Sequence, residues 1–137
     1  MFFIKEGLGM INRRAYDRIY TNTKVLVYCN NREWTLRVKD ISENGIAFLC
    51  EVSEEIEKHI KIGDTISFTL LDKYTLFCVE HEVVLVGRCQ VVRLDNSGYK
   101  NGCKILGCKL INPDEKMINY IDNKRVEAFL GCIHSKK

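Results

Sequence analysis

Residues 24–39 read KVLVYCNNREWTLRVK, and this stretch decides the fold class. The run Lys24–Cys29 is rich in β-branched and apolar residues and predicts a strand. From Glu33 to Lys39 apolar and polar residues alternate, which is the period of a strand with one buried face. Asn30-Asn31 between the two runs is a signal for a tight turn. The stretch therefore predicts an antiparallel hairpin.

Further short strands are predicted along the rest of the chain. Ile56 and Ile60 are spaced like one face of a short helix between two of these strands. The predicted strands are 45–50, 65–71, 74–79, 83–94 and 104–111, with a turn at Asp72-Lys73.

The carboxyl-terminal region predicts a helix at about 113–130. Asn112 is the expected N-cap, Pro113 fits the first helical position and Gly131 the C′ position. Ile118, Ile121, Arg125 and Phe129 form the expected stripe along one face of this helix, with Met117 and Ala128 beside it. Many short strands followed by one helix predict a small antiparallel β-barrel of six to seven strands with the helix packed against it. We expect an N-terminal arm at 1–12, the barrel domain with its helix at 13–131 and a tail at 132–137.

Composition limits the classes of function. The chain has 137 residues, enough for one domain, and a net charge of +3, too small for general coating of nucleic acid. No run approaches the ~20 apolar residues of a membrane span, and no signal peptide is apparent. The seven cysteines are an odd number, which favours free thiols in a reducing cytoplasm. Cys103-x4-Cys108 lacks a second pair at zinc spacing, so we expect no metal.

The first polar motif, RRxxxR, contains Arg13, Arg14 and Arg18. A guanidinium group binds phosphate through two parallel hydrogen bonds, which lysine cannot match. Arginine can also donate to guanine O6 and N7 or stack on a purine. Three such groups suit a ligand that carries phosphates and guanines.

The second motif, DxSxxG, contains Asp40, Ser42 and Gly45 about twenty residues further on. An ionised carboxylate only accepts hydrogen bonds, and the guanine Watson–Crick edge offers donors at N1 and N2. Ser42 can bind a base, a phosphate or its own turn, and Gly45 permits a close approach of the backbone.

The two motifs, in this order and spacing, resemble the signature of the PilZ domain, a bacterial receptor for the second messenger cyclic di-GMP. The resemblance extends from Arg13 to about Leu130 and includes Val-Val-Arg at 91–93. It implies that all six motif residues bind cyclic di-GMP, and that the region of Arg93 can place a side chain over a guanine. The alternative for Arg93 is a surface arginine on a barrel strand. A basic residue before the RxxxR pair accompanies an intercalated ligand dimer in this family. Arg13 therefore leads to the hypothesis of two stacked ligand molecules per site.

The predicted function is a cytoplasmic cyclic di-GMP receptor without enzymatic activity, since no GxSxG, Walker A or HExxH motif is present. Ordering of the N-terminal arm is expected to signal to an unidentified downstream protein. One alternative is a ligand-independent PilZ-type interaction module. A second is a small RNA- or DNA-binding barrel, which is disfavoured because Trp34, Phe48, Phe68 and Phe77 lie in apolar runs and are expected in the core.

Overall fold

The computed structural model describes residues 19–21, 23–51, 55–96 and 103–135. Within these ranges it contains seven strands, one turn of 3-10 helix at Ile56–Lys58 and one α-helix. The strands are β1 (Ile19–Tyr20), β2 (Lys24–Cys29), β3 (Arg32–Ile41), β4 (Gly45–Cys50), β5 (Thr65–Leu76), β6 (Val79–Asn96) and β7 (Lys104–Leu110), and the helix is α1 (Glu115–Ser135).

Six of the strands form a closed antiparallel ring. The order along the sheet is β1-β3-β2-β5-β6-β7-β4, and an additional pairing of β3 with β4 closes it. The short β1 lies beside the end of β3, where Ile19 pairs with Ile41. The predicted fold class, a small antiparallel barrel with a carboxyl-terminal helix, is confirmed.

The hairpin of β2 and β3 forms as predicted from its alternation. Trp34, Leu36 and Val38 are buried in the barrel while the residues between them are exposed or half-buried. Asn30 and Asn31 have φ values of 51° and 63°, the left-handed conformation that a two-residue hairpin turn requires. Side chains with period two therefore build the core of the barrel.

The hairpin of β5 and β6 differs from the prediction. Strand β5 continues through Asp72-Lys73, where we expected a turn, and the chain reverses at Phe77-Cys78 instead. Both turn residues have positive φ, 52° and 62°. Phe77 is 89% exposed, so its assignment to the core was wrong, whereas Trp34, Phe48 and Phe68 are buried as predicted.

Helix α1 begins later than the prediction and continues further. The Met117 N–H donates to Asp114 Oδ1 at 2.9 Å, so Asp114 rather than Asn112 caps the helix. Gly131, the expected C′ residue, lies inside the helix. The buried face consists of Met117, Tyr120 and Ile121, whereas Ile118 and Phe129 of the expected stripe are exposed.

Side chains of α1 form hydrogen bonds with residues of β5. The Tyr120 hydroxyl donates to Asp72 Oδ2 at 2.6 Å. The Thr75 N–H donates to Glu127 Oε2 at 2.7 Å. Burial, followed by the Asp72 hydrogen bond, raises the pKa of Tyr120 above its ordinary value. The helix is thus fixed along the β5 edge by polar contacts as well as by its apolar face.

Candidate functional site

The DxSxxG motif forms the end of β3, a tight turn and the start of β4. The Ser42 N–H donates to the Gly45 carbonyl at 2.8 Å, and the Asn44 N–H approaches Ser42 Oγ at 3.4 Å. The Leu110 N–H donates to the Asn44 carbonyl at 3.0 Å. The turn is therefore held to the end of β7 by a backbone hydrogen bond.

Gly45 is required by a close approach of two backbones. A Cβ atom at this position would lie 2.9 Å from the carbonyl oxygen of Cys108 in β7. Real Cβ atoms essentially never come this close, and a backbone oxygen in a sheet cannot rotate away. The glycine of the motif thus permits tight pairing of β4 with β7.

Asp40 leaves the barrel core because of a β-bulge. Val38 pairs with Phe48, so a regular ladder would place Asp40 opposite Ile46, which is a core residue. The register shift between Val38 and Asp40 pairs the aspartate with Ala47 instead. Asp40 is 6% exposed and is the one charged residue in the buried class among the described residues.

A second bulge acts on Arg93 in the same way. Val91 pairs with Cys108, so a regular ladder would place Arg93 opposite the core residue Leu106. The register shift after Val91 pairs Arg93 with Gly107. Each of the two bulges thus moves a charged side chain out of the inward-facing positions of a strand.

The two bulges create one row across four strands. Asp40 pairs with Ala47, Ala47 with Gly107, and Gly107 with Arg93. A carboxylate and a guanidinium therefore flank two of the smallest residues. We call this row, Asp40-Ala47-Gly107-Arg93, the trough.

A pocket of about 240 Å³ lies over the trough. Its lining residues are Asp40, Ser42, Gly45, Ile46, Ala47, Val92, Arg93, Gly107 and Cys108. The structure thus brings the three DxSxxG residues together with Arg93. Hydrogen-bond acceptors and a cation face a floor of small residues, an arrangement suited to a flat polar ligand.

The Arg93 side chain lies across Gly107. A Cβ on Gly107 would be 2.5 Å from Arg93 Nε and 2.7 Å from Cγ. Arg93 Nε is 3.3 Å from Asp95 Oδ2, and both side chains are 51% exposed. An exposed ion pair of this kind contributes little to stability. The Arg93 guanidinium can therefore leave Asp95 and bind an anionic ligand at a small cost in free energy.

The motif turn also contacts the carboxyl-terminal helix. Arg125 Nη1 donates to Glu43 Oε2 at 2.9 Å, and Nη2 contacts Oε1. This paired arrangement is the strong geometry for arginine and carboxylate. Helix α1 therefore helps to place the turn that carries Ser42.

Sequence reasoning missed four residues as parts of this site: Ala47, Gly107, Glu43 and Arg125. The residues of the first motif, Arg13, Arg14 and Arg18, lie outside the described residues. Strand β1 begins at Ile19, the residue after Arg18. Its Ile19 pairs with Ile41, between Asp40 and Ser42.

Other reactive groups do not form a second polar site in the described residues. A hydrogen bond to Cys89 and burial raise the pKa of Cys108, and burial also raises the pKa of Cys29. Within these ranges no cluster of histidine, cysteine and carboxylate side chains could hold a metal. The one helix described is not apolar enough over its length to cross a membrane.

Known proteins resemble this chain in sequence profile and in fold. The sequence profile of the PilZ domain matches residues 12–124. The fold is similar to Bacillus subtilis inhibitor of motility MotI (TM-score 0.61, 15% identity, 80% of this chain and 50% of that chain). It is also similar to Borreliella burgdorferi PlzA in complex with cyclic di-GMP (TM-score 0.54, 11% identity, 92% of this chain and 55% of that chain).

A third similar structure is the PilZ domain of Escherichia coli YcgR with cyclic di-GMP (TM-score 0.53, 13% identity, 87% of this chain and 92% of that chain). The chain spans about half the length of MotI and of PlzA. No curated protein matches the sequence at a significant level. At these identities the likeness to solved structures shows the fold.

Proposed function

The chain belongs to the PilZ domain family, and on this premise we propose that it is a cytoplasmic receptor for cyclic di-GMP without catalytic activity of its own. The observation that carries the proposal is the pocket over the trough, where the DxSxxG residues and Arg93 meet. Two structural neighbours, PlzA and the PilZ domain of YcgR, were solved with this ligand.

In the proposed complex, one guanine lies over Ala47, beside the Arg93 side chain that crosses Gly107. The Asp40 carboxylate accepts hydrogen bonds from guanine N1 and N2, and Ser42 binds the base or a phosphate. Arg93 donates to guanine or stacks on its face. Because Asp40 is buried, its hydrogen bonds to the base form in a poorly solvated environment. A base without the matching N1 and N2 donors would leave the carboxylate unpaired, which weakens binding most in such an environment.

We propose that Arg13, Arg14 and Arg18 supply the phosphate contacts. The support is the pairing of Ile19 with Ile41, because this ties the residue after Arg18 to the strand that carries Asp40. A cyclic dinucleotide has two phosphates, and Arg13 adds a third guanidinium. We retain the hypothesis that two stacked ligand molecules occupy the site.

The proposed output is a change of surface. Ligand binding orders the N-terminal arm against the barrel, and a downstream protein recognises the ordered arm. Hydrogen exchange of residues 1–18, which contain the arm and the RRxxxR motif, measures this step with and without ligand. We expect slower exchange in that segment on saturation, and unchanged exchange there would contradict the switch while leaving the binding site intact.

Isothermal titration with cyclic di-GMP and with cyclic di-AMP tests the binding proposal. We expect binding of the guanine dinucleotide only, with two ligands per chain. One ligand per chain would contradict the stacked dimer alone. Equal binding of both dinucleotides would contradict guanine recognition by Asp40. Absence of binding to either would favour a ligand-independent interaction module.

Variants of the first motif test the site assignment. We expect Arg14→Ala and Arg18→Ala each to weaken binding by about 1.5–3 kcal/mol, the range for a hydrogen bond to a charged group. Arg32→Ala is the matched control, because this arginine is exposed at the opposite end of β3 from Asp40. Wild-type affinity of the double variant Arg14→Ala/Arg18→Ala would show that the assignment is wrong.

A further inference from the structure

Strand β6 has an edge that no described strand covers. It extends from Val79 to Asn96, but its pairing with β7 involves only residues from Cys89 onward. The other side of β6 pairs with β5 along Val79–Gln90. Between Val79 and Gly87 the second edge of β6 therefore meets none of the strands in the described ranges.

At every second residue of this segment, the backbone N–H and C=O groups point away from β5. The Ile111 N–H donates to the Arg88 carbonyl at 2.9 Å, so Arg88 faces the side of β7. Val91 exchanges hydrogen bonds with Gly63 and Asp64 on the opposite side. By alternation, residues 80, 82, 84 and 86 direct their N–H and C=O groups toward the same side, where the edge is open.

The opposite edge of the β5–β6 hairpin, which belongs to β5, is covered by side chains of α1. On β5, the Thr75 N–H is bound by Glu127 and the Lys73 carbonyl lies 3.4 Å from Lys124 Nζ, both from α1. An uncovered edge is a template for pairing with another strand. Among the described residues of this hairpin, the β6 edge is the side that lacks such cover.

The side chains along the open edge are self-complementary. Glu80, Glu82, Val84, Val86 and Arg88 all lie on the exposed face, and Val84 and Val86 are 46% and 68% exposed. In an antiparallel pair of two copies centred on Val84, Glu80 lies opposite Arg88 of the other copy, and the reverse. Opposite charges in cross-strand pairs stabilise a sheet, and like charges destabilise it.

We propose that two copies of the chain associate through this edge as an antiparallel β6–β6 pair with a two-fold axis at Val84. Residues 82, 84 and 86 then exchange backbone hydrogen bonds with the partner strand. Val84 meets its own equivalent, and two Glu80–Arg88 ion pairs flank it. The two barrels become parts of one continuous sheet, as in known strand-addition interfaces.

Sedimentation velocity over a concentration series measures the association. We expect a monomer–dimer equilibrium in the wild-type chain. Val84→Lys places two like charges at the axis and should weaken the dimer by about tenfold or more. Leu71→Lys is the matched control, because Leu71 pairs with Val84 and is exposed, yet lies on β5 away from the edge. It should leave the dimer unchanged.

A charge exchange tests the axis directly. Arg88→Glu and Glu80→Arg should each weaken self-association by about tenfold, because each brings two like-charged pairs together. A mixture of these two variants should dimerise again, since every cross-strand pair is then opposite in charge. This recovery requires folded chains, so it separates an interface effect from misfolding.

Two results would overturn the proposal. A wild-type chain that stays monomeric at all concentrations would show that no second copy covers the edge. Recovery of Arg88→Glu by Glu82→Arg, with none by Glu80→Arg, would show that the axis is not at Val84.

Discussion

The trough leads to a prediction about Gly107. In Gly107→Ala the new methyl group would lie 2.5 Å from Arg93 Nε and 2.7 Å from Cγ, so the Arg93 side chain must move. Its ion pair with Asp95 is then lost, at a cost of about 0.2–1 kcal/mol for an exposed pair. Replacing a glycine in a strand interior by alanine raises the free energy of unfolding by about 0.5–1 kcal/mol. The free energy of unfolding should therefore change by less than about 1 kcal/mol.

Ligand affinity should respond much more strongly than stability. Displacement of Arg93 removes one charge-assisted hydrogen bond to the ligand, about 1.5–3 kcal/mol. The dissociation constant for cyclic di-GMP should rise by about 10- to 150-fold. Isothermal titration and urea unfolding on the same preparation measure the two quantities.

Arg93→Ala is the control, because it removes the guanidinium and leaves the floor of the trough open. We expect Gly107→Ala to bind as weakly as Arg93→Ala or more weakly. A Gly107→Ala chain with wild-type stability and wild-type affinity would refute the assignment of the trough as the ligand site.

Two further predictions concern stability. Gly45→Ala should lower the free energy of unfolding by about 1–3 kcal/mol in urea, because its Cβ meets the fixed Cys108 carbonyl at 2.9 Å; an unchanged midpoint would contradict the close approach. Tyr120→Phe loses the hydroxyl bond to Asp72 and should cost about 1.5–3 kcal/mol at neutral pH. Because the pKa of Tyr120 is raised in the folded state, its contribution is complete below about pH 10 and declines above it, as the unfolded chain ionises first. Urea unfolding at increasing alkaline pH should therefore show a steeper loss for the wild type than for the variant, and parallel losses would contradict the buried hydrogen bond.

The barrel could be predicted from the sequence because period-two alternation and turn residues are local signals. Trp34, Leu36 and Val38 defined one strand, and Asn30-Asn31 its turn. The turn at Phe77-Cys78 carries no such signal, since neither residue is typical of positive φ. Asp72-Lys73 looked more like a turn, but its polar groups are bound by α1 across a long sequence separation. Local propensity could not show that contact.

The residues of the second motif could be proposed from their chemistry, but the trough could not. Ala47 and Gly107 matter for their lack of side-chain volume, and their alignment depends on two bulges in different hairpins. A signal was present nonetheless. Alternation from Trp34 and Val38 assigns Asp40 to the core, and alternation from Cys89 and Val91 does the same for Arg93. A charge at an inward position is a sign that the ladder shifts register there.

The row from Asp40 to Arg93 has a consequence for biosynthesis. Its members come from four strands, and Gly107 is supplied by β7, the last strand of the ring. On the proposed assignment of the trough as the ligand site, a nascent chain on the ribosome therefore lacks the complete recognition surface until β7 has emerged and the ring has closed. Cyclic di-GMP is then expected to bind the finished barrel rather than early folding intermediates. Its binding would stabilise the whole ring, rather than one hairpin, against unfolding and proteolysis.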